Sequence, residues 1–196
     1  MVTTDPVRGA HVLDGVLTVL AREGLSALSV RSVAAAAGVS PAQVQYYYRT
    51  RAELVGAAFD RASEEFMAAL ATLAPAEPSL ERLRQIIWMW LPVDADREDR
   101  ARVWVAYAAT AATDSKLAVA SAQLDADLRA WFTDEFEALA RTGQVNHTEA
   151  ADVRAAQVLA LIDGVTVQAL TLPLDQRHTL ATRTLDTWLA QLALGS

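Results

Sequence analysis

The sequence predicts an all-α fold, with an N-terminal three-helix helix-turn-helix domain followed by a larger helical domain. Apolar residues recur with helical spacing along most of the chain, and residues that cap helices stand between those segments. No segment alternates apolar and polar residues as a half-buried strand does. Of the 196 residues, 53% are hydrophobic, which is enough for a sizeable core and argues against disorder.

The first two helices are predicted by an apolar stripe and by two glycines. The stripe runs from Leu13 to Leu20 with steps of three and four residues, and Gly24 ends that helix. Ser29 is a suitable N-cap for a short second helix, which ends at Gly38. Because glycine adopts a positive φ without a Cβ clash, Gly38 permits a tight turn.

A third helix begins directly after that turn. Ser40 is its N-cap and Pro41 fits its first position. Thr50 then opens a fourth helix, and Glu53, three residues later, completes a capping box. The second and third helices therefore have the spacing of a DNA-binding helix-turn-helix.

The remaining sequence predicts further helices joined by short turns. One helix covers Leu80–Trp90, and the next has a solvated start at Asp94–Arg102. A long helix covers Ser115–Arg141, another runs from a cap at Thr148 to Pro173, and the last runs from Leu180 to Leu192. Loops are predicted at Ala74–Ser79 and Gly143–Asn146.

Charge and composition exclude several classes. Residues 1–54 carry five arginines and four acids, whereas the remainder carries 12 basic and 20 acidic residues, so the negative excess is C-terminal. Without cysteine there is no disulfide or thiolate metal site. The longest apolar stretch, Val103–Thr113, is too short to span a membrane, and no signal peptide is recognised, so we expect a cytoplasmic protein.

Catalytic and metal-ligand patterns are not found in the sequence. The three histidines are widely spaced, and there is no glycine-rich phosphate loop. We expect no enzyme activity, no cofactor and no metal.

The segment Gly24–Phe59 closely resembles the TetR family of transcriptional regulators. The resemblance rests on GLSALSVRSVAAAAGVS, the three tyrosines ending at Tyr48, and the step Arg51-Ala52-Glu53-Leu54 into the fourth helix. More faintly, the C-terminal part resembles the BetI-type branch. The resemblance implies a homodimeric repressor that binds palindromic operator DNA through residues 1–54 and is released when a small molecule binds within residues 55–196.

The resemblance also implies which residues face DNA. Arg31, Ala42, Gln43, Gln45 and Tyr46 match base-facing positions, where arginine pairs with guanine and glutamine with adenine. Ser29, Ser40, Tyr47 and Arg51 match phosphate contacts, with Arg49 a further candidate, and such contacts fix register without reading sequence. Tyr48 matches an aromatic that packs under the domain. The complete set of expected DNA-binding residues is Ser29, Arg31, Ser40, Pro41, Ala42, Gln43, Gln45, Tyr46, Tyr47, Arg49 and Arg51.

For the C-terminal domain, the resemblance implies a ligand cavity and an interface built from the last two helices. We expect a largely apolar or aromatic ligand. The candidate ligand-binding residues are Trp88, Trp104, Tyr107, Thr110, Trp131, Phe132, Asp163 and Gln168. The candidate interface residues are Val158, Leu161, Val165, Leu185, Trp188 and Leu192.

Two other functions stay open on sequence grounds. Aromatic content also fits a helical small-hydrophobe carrier or enzyme without DNA binding. Alternatively, the chain is a helical interaction module in which the helix-turn-helix is vestigial. At the residue level, Arg31 fits a solvated helix residue and the tyrosines fit plain packing. DNA affinity separates these alternatives from the regulator.

Overall fold

A computed structural model describes residues 6–72, 77–146 and 148–193. Within these ranges the chain forms nine α-helices and no strand, so the predicted all-α fold is confirmed. The helices are α1 Pro6–Glu23, α2 Val30–Ala37, α3 Pro41–Tyr47, α4 Arg51–Ala71, α5 Leu80–Trp90, α6 Ala95–Ala111, α7 Ser115–Arg141, α8 Ala151–Leu170 and α9 Leu174–Ala193.

Most predicted helix ends are confirmed, and the exceptions have local causes. The hydroxyl and backbone N–H of Thr148 both bond to Asn146 Oδ1, so Thr148 does not cap α8, which begins three residues later. The last helix begins at Leu174, directly after the proline, rather than at Leu180. A 3₁₀ turn at Leu25–Ala27 was not predicted. The predicted loop lies partly outside the described residues, and its last residue, Ser79, caps α5.

The chain divides into two compact units. The first unit contains the described residues up to Phe66 together with Arg102–Val119, and the second contains Met67–Ala101 and the residues from Ala120 onward. These units are defined by which residues pack together, whereas the boundary predicted after residue 54 separates a DNA-binding part from a ligand-binding part. That boundary stays a prediction.

The first unit has one apolar core that joins the helix-turn-helix to parts of α4 and α6. Val12, Val33 and Val44 come from the first three helices, and all three are fully buried. Val55 of α4 and Tyr107 of α6 belong to the same cluster. Helices α2 and α3 therefore rest on a core to which α4 and α6 also contribute.

The second unit combines an apolar core with two internal ion pairs. Phe132, Phe136 and Leu185 are buried in the core that α5, α7, α8 and α9 share. Arg82 Nη1 lies 2.5 Å from Glu135 Oε2, and both side chains are largely buried. Likewise, Arg177 Nη1 lies 2.7 Å from Glu98 Oε2, which ties α9 to α6 within this unit.

In the first unit, α1 and α2 approach closely at Gly15. A Cβ added there would lie 2.8 Å from the Cβ of Ala37 and 3.0 Å from the carbonyl oxygen of Val33. Both atoms belong to α2, and the carbonyl cannot move without disturbing that helix. Gly15 is therefore required by packing, although its backbone is ordinary helix.

We predict that Gly15→Ala destabilises the protein by about 1–3 kcal/mol, because the added methyl overpacks the α1–α2 contact. Urea unfolding followed by circular dichroism measures the change. Asp14→Ala, at the exposed neighbouring position of α1, is the matched control and is expected to leave stability nearly unchanged. Equal stability of Gly15→Ala and the control would contradict the packing argument.

Candidate functional site

Each of the two short helices begins with a capping box, and a left-handed glycine makes the turn between them. Gly38 has φ 65°, the conformation expected for it. At the start of α2, the Ser29 hydroxyl accepts from the N–H of Ser32, and the Ser32 hydroxyl accepts from the N–H of Ser29. These bonds satisfy donors that a helix start leaves open. The serine at the start of α2 is thus occupied in the cap that fixes the helix.

The orientation of α3 follows from one inward residue. Val44 is fully buried in the core, so the residues on the opposite side point away from the protein. Tyr46 is 55% exposed, although its apolar ring would ordinarily favour burial. Its ring meets that of half-buried Tyr47 edge-on, with centroids 5.2 Å apart. The outward face of α3, defined here as Ser40, Pro41, Ala42, Gln45 and Tyr46, is exposed throughout.

Gln43 has a capping role that the sequence analysis missed. Its Oε1 accepts from the backbone N–H of Ser40 at 2.9 Å and lies 3.2 Å from the Ser40 hydroxyl. Bidentate pairing with adenine needs both the oxygen and the nitrogen of the amide. In this conformation only the amide nitrogen remains for a base, so Gln43 is arranged as a donor. The spacing Ser-x-x-Gln was the available signal for this cap.

Three arginines lie around the two short helices, and each is exposed. Arg31 stands on α2. The backbone N–H of Arg49 donates to Glu53 Oε2 at 2.7 Å, so the carboxylate of the predicted capping box reaches Arg49 rather than Thr50. Arg51 Nη2 donates to the carbonyl of Leu25, which ties the start of α4 to the 3₁₀ turn. Arg51 therefore has a structural bond in addition to its predicted phosphate contact.

Behind the helix-turn-helix, aromatic side chains pack within the first unit. The rings of Phe59 and Tyr107 stack with centroids 4.0 Å apart, and Trp104 stacks on Tyr107 at 6.0 Å. Burial raises the pKa of Tyr107 and of Tyr48, and the charge of Asp60 adds to both shifts. The packing role expected for Tyr48 is confirmed, since it lies against this core.

The predicted ligand-binding residues are divided between the two units. Trp104, Tyr107 and Thr110 belong to the first unit, and the other five belong to the second. Phe132 is fully buried and Tyr107 is 3% exposed, so both pack in the cores of their units. Their role in ligand binding stays a prediction, because buried aromatic residues at helical spacing fit a core and a cavity wall equally well. The side chains of Asp163 and Gln168 are exposed on α8.

Two clefts lie on the second unit. The smaller has a volume of about 330 Å³ and is lined by residues of α4, α5 and α6, among them Trp88, Arg84 and Arg97. The larger, of about 870 Å³, lies along α8 and α9 and includes Leu161 and Trp188. Trp88 is thus the predicted ligand residue that lines the smaller cleft.

Four of the six predicted interface residues point into the chain itself. Val158, Val165, Leu185 and Leu192 are at most 5% exposed, because they pack in the cores of a single chain. Their part in an interface stays a prediction. Leu161 and Trp188 are half-buried and line the larger cleft, where another molecule can reach them.

Helix α8 is apolar on its outer side as well. Val153 is 44% exposed and Val167 54% exposed, and Ala160 between them is also exposed. Among the described residues, α8 is the one helix long and apolar enough to cross a membrane, and 39% of the relevant window is buried within the chain. Because the inner side of α8 already packs in the core, no element of the described residues covers these exposed apolar side chains.

Acidic and histidine side chains form no cluster that could hold a metal ion, as far as the described residues extend. The arrangement supplies instead an exposed reading helix, an apolar helical surface and two clefts. These features suit recognition of other molecules.

Comparison with known proteins gives a consistent picture. The family model for bacterial regulatory proteins of the tetR family matches residues 12–58, and that for the C-terminal part of BetI-type transcriptional repressors matches residues 78–194, more than half of the chain. No curated protein matches the chain in sequence.

Solved structures resemble the chain over nearly its whole length. A transcriptional regulator from Rhodococcus sp. Rha1 has 27% identity and a TM-score of 0.81, with 94% of this chain and 95% of that chain covered. A regulator from Saccharomonospora viridis in complex with choline has 19% identity and a TM-score of 0.79, covering 93% and 97%. A TetR-family regulator from Agrobacterium tumefaciens has 18% identity and a TM-score of 0.81, covering 96% and 98%. At these last two identities the likeness shows the fold alone.

We predict that Gln43→Ala lowers the free energy of unfolding by about 0.5–1.5 kcal/mol, because the Ser40 N–H loses its acceptor. Gln43→Glu keeps a carboxylate oxygen at the same position and is expected to retain stability. Urea unfolding of both variants tests the cap. Gln45→Ala, on the outward face of α3, is the control, and a loss of stability as large as that of Gln43→Ala would refute the capping role.

Proposed function

The chain belongs to the TetR family of transcriptional regulators, with a helix-turn-helix DNA-binding domain and a BetI-type C-terminal domain, and on this premise we propose that it is a repressor released by a small molecule. As a dimer, it binds a palindromic operator. One observation carries the proposal most directly: α3 presents a fully exposed face on a helix whose other side is locked into the core.

Electrostatics at this end of the molecule support DNA binding. The N-terminus of α3 carries the positive end of the helix dipole, and its outward face begins at that terminus. Arg31, Arg49 and Arg51 add positive charge nearby in the chain, whereas the acidic excess lies beyond residue 54. The net charge of −7 therefore does not argue against an anionic partner at the reading helix.

We assign base reading to Arg31 and to the outward face of α3. Gln45 and Tyr46 are exposed there, and the amide nitrogen of Gln43 adds one donor. Phosphate contacts are assigned to Ser29, Tyr47, Arg49 and Arg51, with the Ser29 hydroxyl also serving its cap. Arg51 keeps donors besides the Nη2 that bonds Leu25, since a guanidinium has five N–H groups.

Dimerisation is proposed through the outer side of α8 and the adjoining cleft along α9. Exposed apolar residues grouped on one helix favour a partner that covers them. A second copy of the chain would cover Val153, Ala160 and Val167, and Leu161 and Trp188 lie in the adjoining cleft. A two-fold dimer also places two reading helices for half-sites about 34 Å apart.

Release by an effector is proposed as a shift between two conformations of the dimer. A ligand favours the conformation that binds DNA poorly only by the difference between its affinities for the two. Helix α4 continues from the helix-turn-helix as one uninterrupted helix to Ala71, so it is the proposed lever. The choline complex of the S. viridis regulator makes an organic cation one effector class to compare with others.

We further propose that the protein has no catalytic activity and acts in the cytoplasm. The family to which the chain belongs consists of transcriptional regulators, which supports this proposal. A carrier or enzyme without DNA binding is the alternative, and DNA affinity distinguishes it.

We predict different effects for two arginine substitutions on a genomic fragment selected by the protein. Arg31→Ala should reduce discrimination at particular base pairs by about 1–3 kcal/mol. Arg51→Ala should weaken binding to all sequences and lower the slope of log affinity against log salt by about one. Fluorescence anisotropy at several salt concentrations measures both, and Arg61→Ala, exposed on α4, is the control. If Arg51→Ala altered sequence preference instead, the assignment of roles would be wrong.

We predict that Val167→Arg shifts the protein towards monomer and weakens binding to a two-half-site fragment, because the charge would be buried against the partner. Light scattering after gel filtration gives the mass. Val119→Arg is the matched control, since Val119 is a valine of α7 that is 73% exposed and is not part of the proposed surface. A dimer that persists in Val167→Arg as in the control would exclude this surface.

A further inference from the structure

The smaller cleft of the second unit combines apolar walls with two guanidinium groups. Met89 of α5 and Ala69 of α4 contribute apolar atoms, Arg84 comes from α5, and Arg97 comes from α6. Its volume of about 330 Å³ lies at the small end of the range for small-molecule sites. Gln85 and Thr72 add two neutral polar groups. No acidic residue is among those that line the cleft.

Both arginines are held in place by hydrogen bonds that leave some of their N–H groups available to a ligand. Arg84 Nε lies 2.8 Å from Asp186 Oδ1, and neither Nη of Arg84 takes part in that contact. Arg97 uses Nε towards Asp94 Oδ2 at 3.0 Å and Nη1 towards the carbonyl of Trp88 at 3.0 Å, which leaves Nη2. The two carboxylates are 48% and 49% exposed, so water screens them more than the arginines they hold.

Trp88 fixes the two cations relative to each other. The Arg84 guanidinium lies 5.3 Å from the centre of the Trp88 ring, a cation–π distance, and Arg97 bonds the carbonyl of the same residue. His178 meets the ring edge-on at 5.1 Å. Both guanidinium groups therefore contact Trp88 at the wall of the cleft, one through its ring and the other through its carbonyl.

From this arrangement we infer that the cleft binds a small organic acid, with its carboxylate on Arg84 and Arg97 and its apolar body against Met89 and Trp88. Guanidinium N–H groups match carboxylate oxygens in geometry and charge. An organic cation would meet two positive charges there. That the cleft binds an acid does not depend on the proposed function. That this acid is the effector does rest on the proposed function. It also replaces the earlier expectation of a largely apolar ligand with that of an acid.

Calorimetric titration with phenylacetate and phenylacetamide tests the inference, since the two probes share a body and differ in charge. The wild-type protein should bind the acid at least tenfold more tightly than the amide. Arg84→Met and Arg97→Met should each weaken acid binding at least tenfold and leave amide binding nearly unchanged. Arg129→Met is the matched control, because Arg129 is an exposed arginine paired with Asp125 on α7. Circular dichroism establishes that each variant is folded.

Three results would overturn the inference: equal binding of acid and amide by the wild-type protein, no measurable binding of either, or acid binding that survives both substitutions. The first comparison needs no variant, so it decides even where a variant fails to fold. DNA affinity without added acid tests the proposed function separately. If the acid binds through the arginines but leaves DNA affinity unchanged, the site stands and its role as effector site is refuted.

Discussion

The burial of Val44 is the constraint on which the reading surface depends. This residue fixes one side of a seven-residue helix in the core, and every outward residue of α3 takes its direction from that contact. Gly38 and the Ser40–Gln43 cap then set where the helix begins. A helix this short has little stability of its own, so its position depends on packing and capping together. Because the same core includes residues of α4 and α6, the reading helix shares its support with helices that run on beyond it.

A second constraint acts on α8, which is apolar on two sides. Its inner side packs against α5, α7 and α9, whereas its outer side exposes Val153 and Val167. Burial of apolar surface is the main favourable term in folding and in association, so an uncovered outer side favours self-association. The family to which the chain belongs supplies the second copy as the natural partner. The two constraints have different consequences, since one orients α3 and the other carries the proposed dimer interface.

The sequence was most informative where structure is decided locally. Ser29, Gly38 and Ser40 mark helix ends through backbone hydrogen bonds and φ, and these ends are where they were predicted. The candidate interface on α8 could not be located from local signals. Val158 and Val165 are buried, whereas Val153 and Val167 are exposed, although all four are valines on one helix. Composition cannot distinguish the two sides of a helix that is apolar on both. Gln43 is a third case. The same residue at this position can cap α3 or contact a base, so the sequence does not show which role it has.

Hydroxyl-radical footprinting on a genomic fragment selected by the protein tests the central claim most directly. The account predicts two protected patches about 10 base pairs apart, related by a two-fold axis and lost at high salt, because two copies of α3 read successive turns of one duplex face. Protection of a single patch would contradict the dimer. No selected fragment, or protection without sequence preference, would contradict the assignment of α3 as a sequence-reading helix.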